Sequence, residues 1–242
     1  MGAVSGGGVL SAPVARHDGP DVPATWFDVE QYRRAPRRVV FRTVDRPAIV
    51  LGSTQRASLV DRGHTTLAGI AVARRRGGGG AVHLVPGAQV WADMWVPASD
   101  PLWTPEPRRT AVHVGRWWAA ALARAGVRAA VHDGPSARTG VTDVACFAGV
   151  GPGEVLTGGR KVVGLAQWRS REGALVVGCA YVRFEPAALV DCLALDPVSR
   201  AALVRGLDAL VVDMTGLGAP EWGAVDLLAE LPEGDDWDVV FD

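Results

Sequence analysis

The chain contains 24 arginines and one lysine, and that lysine, Lys161, stands in the stretch Thr157-Gly-Gly-Arg-Lys-Val-Val-Gly164. Arginine offers a planar fork, whereas lysine offers a compact ammonium. A single lysine after two glycines, on or beside a strand, marks a position where a point charge projects over a pocket. The chemistry open to it is charge stabilisation: one ammonium can hold the carbonyl oxygen of an acyl group and a phosphate oxygen, as in a mixed anhydride and its transition state. A composition biased to Ala, Gly and Arg also leaves single lysines by chance, so the residue needs company.

A second candidate is Arg74-Arg-Arg-Gly-Gly-Gly-Gly80. A run of this kind can be a flexible hairpin. It can also be a backbone-lined anion site, because amides without Cβ atoms close on a carboxylate or phosphate while arginine clamps it bidentately. Neither a Walker A pattern nor a GxGxxG helix entry is present, which argues against a standard nucleotide fold. Cys146 lies in the glycine-rich segment Thr142-Asp-Val-Ala-Cys-Phe-Ala-Gly-Val-Gly-Pro-Gly153, unlike Cys179 and Cys192, which fall in an apolar strand and a helix. Such a cysteine is either a small core residue or a nucleophile. His83 can orient a ligand or be a satisfied strand residue. Trp91, Trp95, Trp103, Trp117 and Trp118 read first as packing, and second as walls of an apolar tunnel for an acyl chain.

These residues need a scaffold. At 242 residues with 48% hydrophobic content, the chain can bury a full core, and a net charge of −1 supplies no global field toward nucleic acid or an anionic membrane. Three cysteines without CxxC spacing and five scattered histidines indicate neither a disulfide framework nor a metal site. The N-terminus lacks a secretory pattern and no apolar run approaches a membrane span, so the expected compartment is the cytoplasm.

Residues 1–24 read as a disordered arm, with structure starting near Trp26. Residues 25–242 read as one domain. Strands are expected at 38–44, 48–51, 70–73, 81–84 and 89–96, then at 127–131, around Val155, at 161–167 and at 174–184. The alternation over 89–96 predicts an antiparallel strand covered on one face. A long amphipathic helix is expected at 108–125, and further helices at 186–195, 197–212 and 220–231, each opening near a proline. The acidic tail around Asp235 reads as frayed. Strands with one long helix between them, then a helical C-terminus, give an α+β fold on a mostly antiparallel sheet flanked by helices.

Together, Arg74-Arg-x-Gly-Gly-Gly-Gly-Ala-Val82 and Gly159-Arg-Lys-Val-Val-Gly-Leu-Ala-Gln167 resemble the lipoate–protein ligase and octanoyl transferase family, which shares its catalytic fold with biotin–protein ligases. The resemblance runs from Ala48-Ile-Val-Leu-Gly-Ser-Thr-Gln55 to about Pro186. It implies that Arg75, Gly78, Gly79 and Gly80, with Arg74 beside them, hold the acyl group or acyl-adenylate, and that Lys161 contacts the acyl carbonyl and the phosphate. His83, Gly164 and Gln167 join the substrate-binding candidates. Where ligases read Tyr-His-Asp after Ala-Val, this chain has His83-Leu84-Val85, and their Asn-containing segment is replaced by Ala88 to Val90 and Trp91; both changes count against use of ATP with magnesium. Cys146-Phe147 resembles the Cys-Phe of the octanoyl transferase branch, although the following residues depart from that branch's Pro-Ser-x-Tyr-Glu. The chain also falls short of the extra C-terminal domain of long bacterial ligases.

Three functions compete on this reading. The first is an ATP-dependent ligase that joins lipoate or octanoate to a lysine of a lipoyl carrier domain, in a 2-oxoacid dehydrogenase or glycine cleavage protein, through an acyl-adenylate. The second is an ATP-independent transferase that takes octanoyl from acyl-carrier protein through a Cys146 thioester. The third is a non-catalytic binder of the acyl ligand or carrier. Lys161, placed at a pocket edge, is expected to be removable without harm to the fold.

Overall fold

Two sheets enclose the region between the glycine run and the lysine strand. The computed structural model describes residues 29–137, 144–231 and 237–242. The expected N-terminal arm, the start at Trp26 and most of the acidic tail lie outside the described residues.

The larger sheet has seven strands in the order β10-β1-β5-β9-β8-β7-β6. They are β1 (Arg38–Arg42), β5 (Gln89–Pro97), β6 (Ala130–Val131), β7 (Val155–Thr157), β8 (Arg160–Arg169), β9 (Gly173–Tyr181) and β10 (Asp238–Phe241). Only the β1/β10 pair is parallel among them; the other neighbours are antiparallel. The smaller sheet, β3-β2-β4, joins β2 (Ala48–Leu51), β3 (Ala71–Arg74) and β4 (Val82–Leu84). The glycine run is therefore the link from β3 to β4.

Helices cover both sides. The helix α2 (Pro107–Arg124) and the short α5 (Ala224–Leu228) bury Val114, Trp117, Trp118, Leu122 and Leu227 against β5, β8 and β9. On the opposite side, α3 (Pro186–Asp191) and α4 (Pro197–Leu210) bury Leu189, Val190, Leu203 and Leu207 with β2, β3 and β4. A one-and-a-half-turn helix, α1 (Arg62–Leu67), was not evident in the residue pattern; the Asp61 carboxylate caps it by accepting from the His64 amide at 2.9 Å.

Several expectations change. β5 is buried on both faces, because its second face packs a cluster around Asp93 and Trp95, and the alternation there records side-chain chemistry instead of solvent exposure. β9 ends at Tyr181, where its partner β5 begins at Gln89 and the ladder runs out. Residues 238–241, of which Asp238 falls in the tail expected to be frayed, form β10, an edge strand registered with Val39, Val40 and Phe41. Trp95, Trp117 and Trp118 are core residues, with Trp117 donating to the Leu227 carbonyl at 2.7 Å.

Candidate active site

The glycine loop is shaped from below by arginine. Arg75, 4% exposed, follows β3 and donates from Nη2 to the carbonyls of Gly78 (2.7 Å) and Gly80 (2.8 Å), with a longer contact to Val50 (3.3 Å). One rigid fork thus satisfies carbonyls that a buried loop would otherwise leave unpaired. Arg74 braces the neighbouring turn, donating to the carbonyls of Gly52 (2.8 Å) and Gln55. The Gln55 side chain in turn donates to the Val144 carbonyl at 3.0 Å.

Glycine is required where the loop meets the segment carrying Cys146. Gly79 has φ +97°, and a Cβ there would lie 2.8 Å from Arg75 Nη2 and 3.5 Å from Cys146 Sγ. A Cβ on Gly80 would sit 2.4 Å from the Ala145 carbonyl carbon and 2.6 Å from the Cys146 amide nitrogen. The two segments are stitched together by Ala81 donating to Val144 (2.8 Å) and Cys146 donating back to Ala81 (2.9 Å). Cys146 opens a 3-10 turn, Cys146–Ala148, and is half-buried.

Lys161 arrives from the other side. The Gly158-Gly159 turn joins β7 to β8 and sets Lys161 as the second residue of β8. Its side chain is 1% exposed, so the expected pocket-edge ammonium is in fact buried. Nζ makes an ion pair with Glu154 Oε2 at 2.7 Å and donates to the Cys146 carbonyl at 2.9 Å. Glu154 is anchored as well, since Oε2 accepts from the Gly151 amide (2.6 Å) and Oε1 from the Leu165 amide (3.3 Å). Reading residue types missed Glu154; the available signal was an acid seven positions before the one lysine, across a two-glycine turn.

These parts surround a cleft of about 960 Å³. Gly78, Gly79, Gly80, Cys146, Lys161 and Gln167 all line it, together with Glu154 and an apolar wall that includes Leu59, Val150, Leu165, Ala166 and Val176. The Gln167 amide is oriented so that its nitrogen donates to the Pro107 carbonyl (3.0 Å) and its oxygen accepts from Arg169 (3.2 Å). Arg74, Arg75, His83 and Gly164 stand outside the lining. Arg74 and Arg75 act on the loops from behind, and Gly164 packs on the Phe147 ring, 3.1 Å from where its Cβ would be. His83 is buried in β4, where desolvation lowers its pKa to about 4. Of the tryptophans singled out by type, Trp91 reaches a small separate cavity of about 20 Å³ beneath Arg75 and Gly77, and none lines the large cleft. Among the described residues no group of three or more His, Cys, Asp or Glu is arranged to hold a metal ion.

A family model for the lipoyl protein ligase A/B catalytic domain matches residues 28–228. The chain belongs to that family. No curated protein sequence matches it. Among solved structures, a Thermoplasma acidophilum protein with bound lipoic acid superposes with a TM-score of 0.63 at 17% identity, covering 89% of this chain and 81% of that one. A bi-partite lipoate protein ligase of Thermoplasma acidophilum, studied with its E2 lipoyl domain, gives 0.63 at 19% identity over 89% of this chain and 79% of that one. A lipoate-protein ligase A bound with ATP gives 0.58 at 20% identity, over 89% and 81%. At these identities the likeness shows the fold, and it agrees with the mostly antiparallel α+β architecture of a lipoyl ligase catalytic domain. No helix among the described residues is long and apolar enough to cross a membrane.

Proposed function

We propose that the chain attaches a lipoyl or octanoyl group to a lysine of a lipoyl carrier domain, through an acyl-adenylate held between the glycine loop and Lys161. The observation that carries this reading is the cleft that brings Lys161 and Gly78, Gly79 and Gly80 to one cavity with an apolar wall. In such a reaction the acid's carboxylate oxygen displaces pyrophosphate from ATP. The carrier amine then attacks the acyl carbon and AMP leaves. Negative charge gathers on the acyl and phosphate oxygens in both steps, and a fixed ammonium in a mostly desolvated site stabilises it without reorganising. The apolar wall suits an alkyl or dithiolane chain. Relatives solved with lipoic acid, with ATP and with an E2 lipoyl domain support these ligands and this kind of partner. The described donors do not fit a protein-held magnesium ion: Glu154 is the one carboxylate among the described lining residues, and Lys161 occupies it.

A second reading rests on Cys146, which lines the same cleft and whose own carbonyl receives Lys161. There, octanoyl passes from an acyl-carrier protein thioester to Cys146 Sγ and then to the carrier lysine. Intact-mass spectrometry separates the two. The protein and a lipoyl carrier domain are incubated with lipoate and ATP, or with octanoyl-acyl-carrier protein. A carrier mass gain that needs ATP and survives Cys146→Ser supports the ligase. A gain only from the thioester, with acylated Cys146, supports the transferase. No gain in either tube refutes both and leaves a non-catalytic binder.

A further inference from the structure

Lys161 is the one amine side chain in 242 residues, and it borders the cleft proposed above to hold an activated acyl group. That placement is chemically hazardous. A neutral amine beside an acyl–phosphate anhydride or a thioester is itself an acyl acceptor, whereas an ammonium has no lone pair and can only donate hydrogen bonds. Burial without a counter-charge favours the neutral form of a lysine. Which of the two roles Lys161 plays therefore depends on the group that faces its protons.

That group is Glu154. Its carboxylate lies 2.7 Å from Nζ, and the two side chains are 6% and 1% exposed. Both carboxylate oxygens are tied to backbone amides, Oε2 to Gly151 and Oε1 to Leu165, so the backbone itself orients the acid toward Nζ. The Cys146 carbonyl accepts a hydrogen bond from the same ammonium. Nζ is thus held by one ion pair and one hydrogen bond, both made by the protein and neither using the ligand.

We infer that Glu154 is a positioning residue that keeps Lys161 a charge donor and bars it from becoming the acyl acceptor. The inference rests on the proposed function. Because the chain has no other lysine, it leaves the enzyme without a side-chain amine on which its own activated acyl group can be lost. In the barred step the Nζ lone pair attacks the acyl carbon, a C–N bond forms, and the bond from the acyl carbon to the adenylate oxygen or thioester sulfur breaks. AMP or thiolate departs with the electron pair, and one nitrogen proton passes to solvent. The product is a dead-end amide at Lys161.

The test compares wild type with Glu154→Gln, which keeps the side chain's size and one acceptor, and with Glu154→Asp, which keeps the charge. Each is incubated with preformed octanoyl-adenylate, with and without a carrier domain, and separately with trace acetic anhydride; peptide mapping scores Lys161 against the N-terminal amine. Wild type should acylate the carrier and stay unmodified at Lys161. Glu154→Gln should acquire one octanoyl on Lys161, and its acetylation relative to the N-terminal amine should rise clearly above that of wild type. Glu154→Asp should be protected better than Glu154→Gln; a merely structural role predicts the opposite order, because Gln is the closer shape. A folded Glu154→Gln protein whose Lys161 reacts with acetic anhydride no faster than wild type overturns the inference, whatever the carrier does. Failure of wild type to acylate the carrier from octanoyl-adenylate overturns the function reading instead. Wild-type protein labelled with 15N-lysine gives one side-chain resonance, so a variant that does not fold leaves the question answerable: an ammonium signal at pH 8 is expected, and an amine signal overturns the inference.

Discussion

A lysine with 1% exposure, paired to a carboxylate, cannot be cut away as freely as one at a pocket edge. Lys161→Ala should abolish acyl transfer, and it should also cost about 3–5 kcal/mol of stability, because Glu154 is left buried without its partner. Urea unfolding checks the second half, and adding Glu154→Ala to Lys161→Ala should recover part of the loss. His83 gives a pH-dependent counterpart. Its folded pKa of about 4 lies below the ordinary 6.5, so between those values the unfolded chain binds the proton and the folded chain does not. Stability should be unaffected by this group above pH 6.5 and fall by on the order of 3 kcal/mol as the pH drops to 4. Melts of wild type and His83→Leu at pH 7 and pH 4 should show the acid-side loss shrinking in the variant. The singularity of Lys161 was plain from residue types, because a lone lysine among arginines is conspicuous. Its counter-ion was less so, because Glu154 lies just before β7 and the β7/β8 register shifts between Val155 and Leu156, so the seven-residue spacing alone does not pair the two.

At the scale of elements, the loop between β3 and β4 divides its glycines by task. A Cβ on Gly80 would collide with backbone, whereas one on Gly78 would meet nothing within 4 Å. Gly80→Ala should therefore destabilise the fold by about 1–3 kcal/mol. Gly78→Ala should leave the melting temperature close to that of wild type, yet raise the KM for the acyl substrate, since the space its methyl enters belongs to the cleft. A Gly78→Ala enzyme with unchanged KM would remove the loop from the binding surface. The flanking strands could be read from their apolar runs, and α2 from the spacing of Val112, Trp117, Trp118, Ala121 and Leu122. The charge of the two backing arginines suggests ligand clamps, but residue type does not say whether a guanidinium faces a substrate or the carbonyls of its own loop; here both face carbonyls. β10 escaped notice for a different reason: its edge position leaves its side chains half-exposed, so the pattern shows no buried face.

Across the whole molecule, one buried polar cluster ties distant parts of the chain. Asp93 on β5, 1% exposed, accepts from Tyr32 Oη (2.9 Å), Trp91 Nε1 (2.9 Å) and Arg42 Nε (3.0 Å), while Arg42 also donates to Tyr32 (2.7 Å) and pairs with Asp242. Burial pushes the Asp93 carboxyl up, against the pull of Arg42. Arg42→Met should cost about 3–5 kcal/mol, and Arg42→Met with Asp93→Asn should cost less than the single change, because the stranded charge goes too. Chemical denaturation of both variants measures it. The α+β architecture was legible because the two motifs and the strand order pointed the same way, but this cluster was not, since Arg42 and Asp93 sit 51 positions apart with nothing local to link them. The edge strand carries the matter further. β10 pairs with β1 across a separation of 200 residues, and Arg42 meets Asp242 over the same span. On the ribosome, β1 emerges long before the strand that covers its open side, so until that strand follows the nascent chain carries an unpaired edge and an incompletely neutralised arginine. Translation speed and chaperone supply should thus govern how much of this protein reaches its native form, independently of how stable that form is once complete.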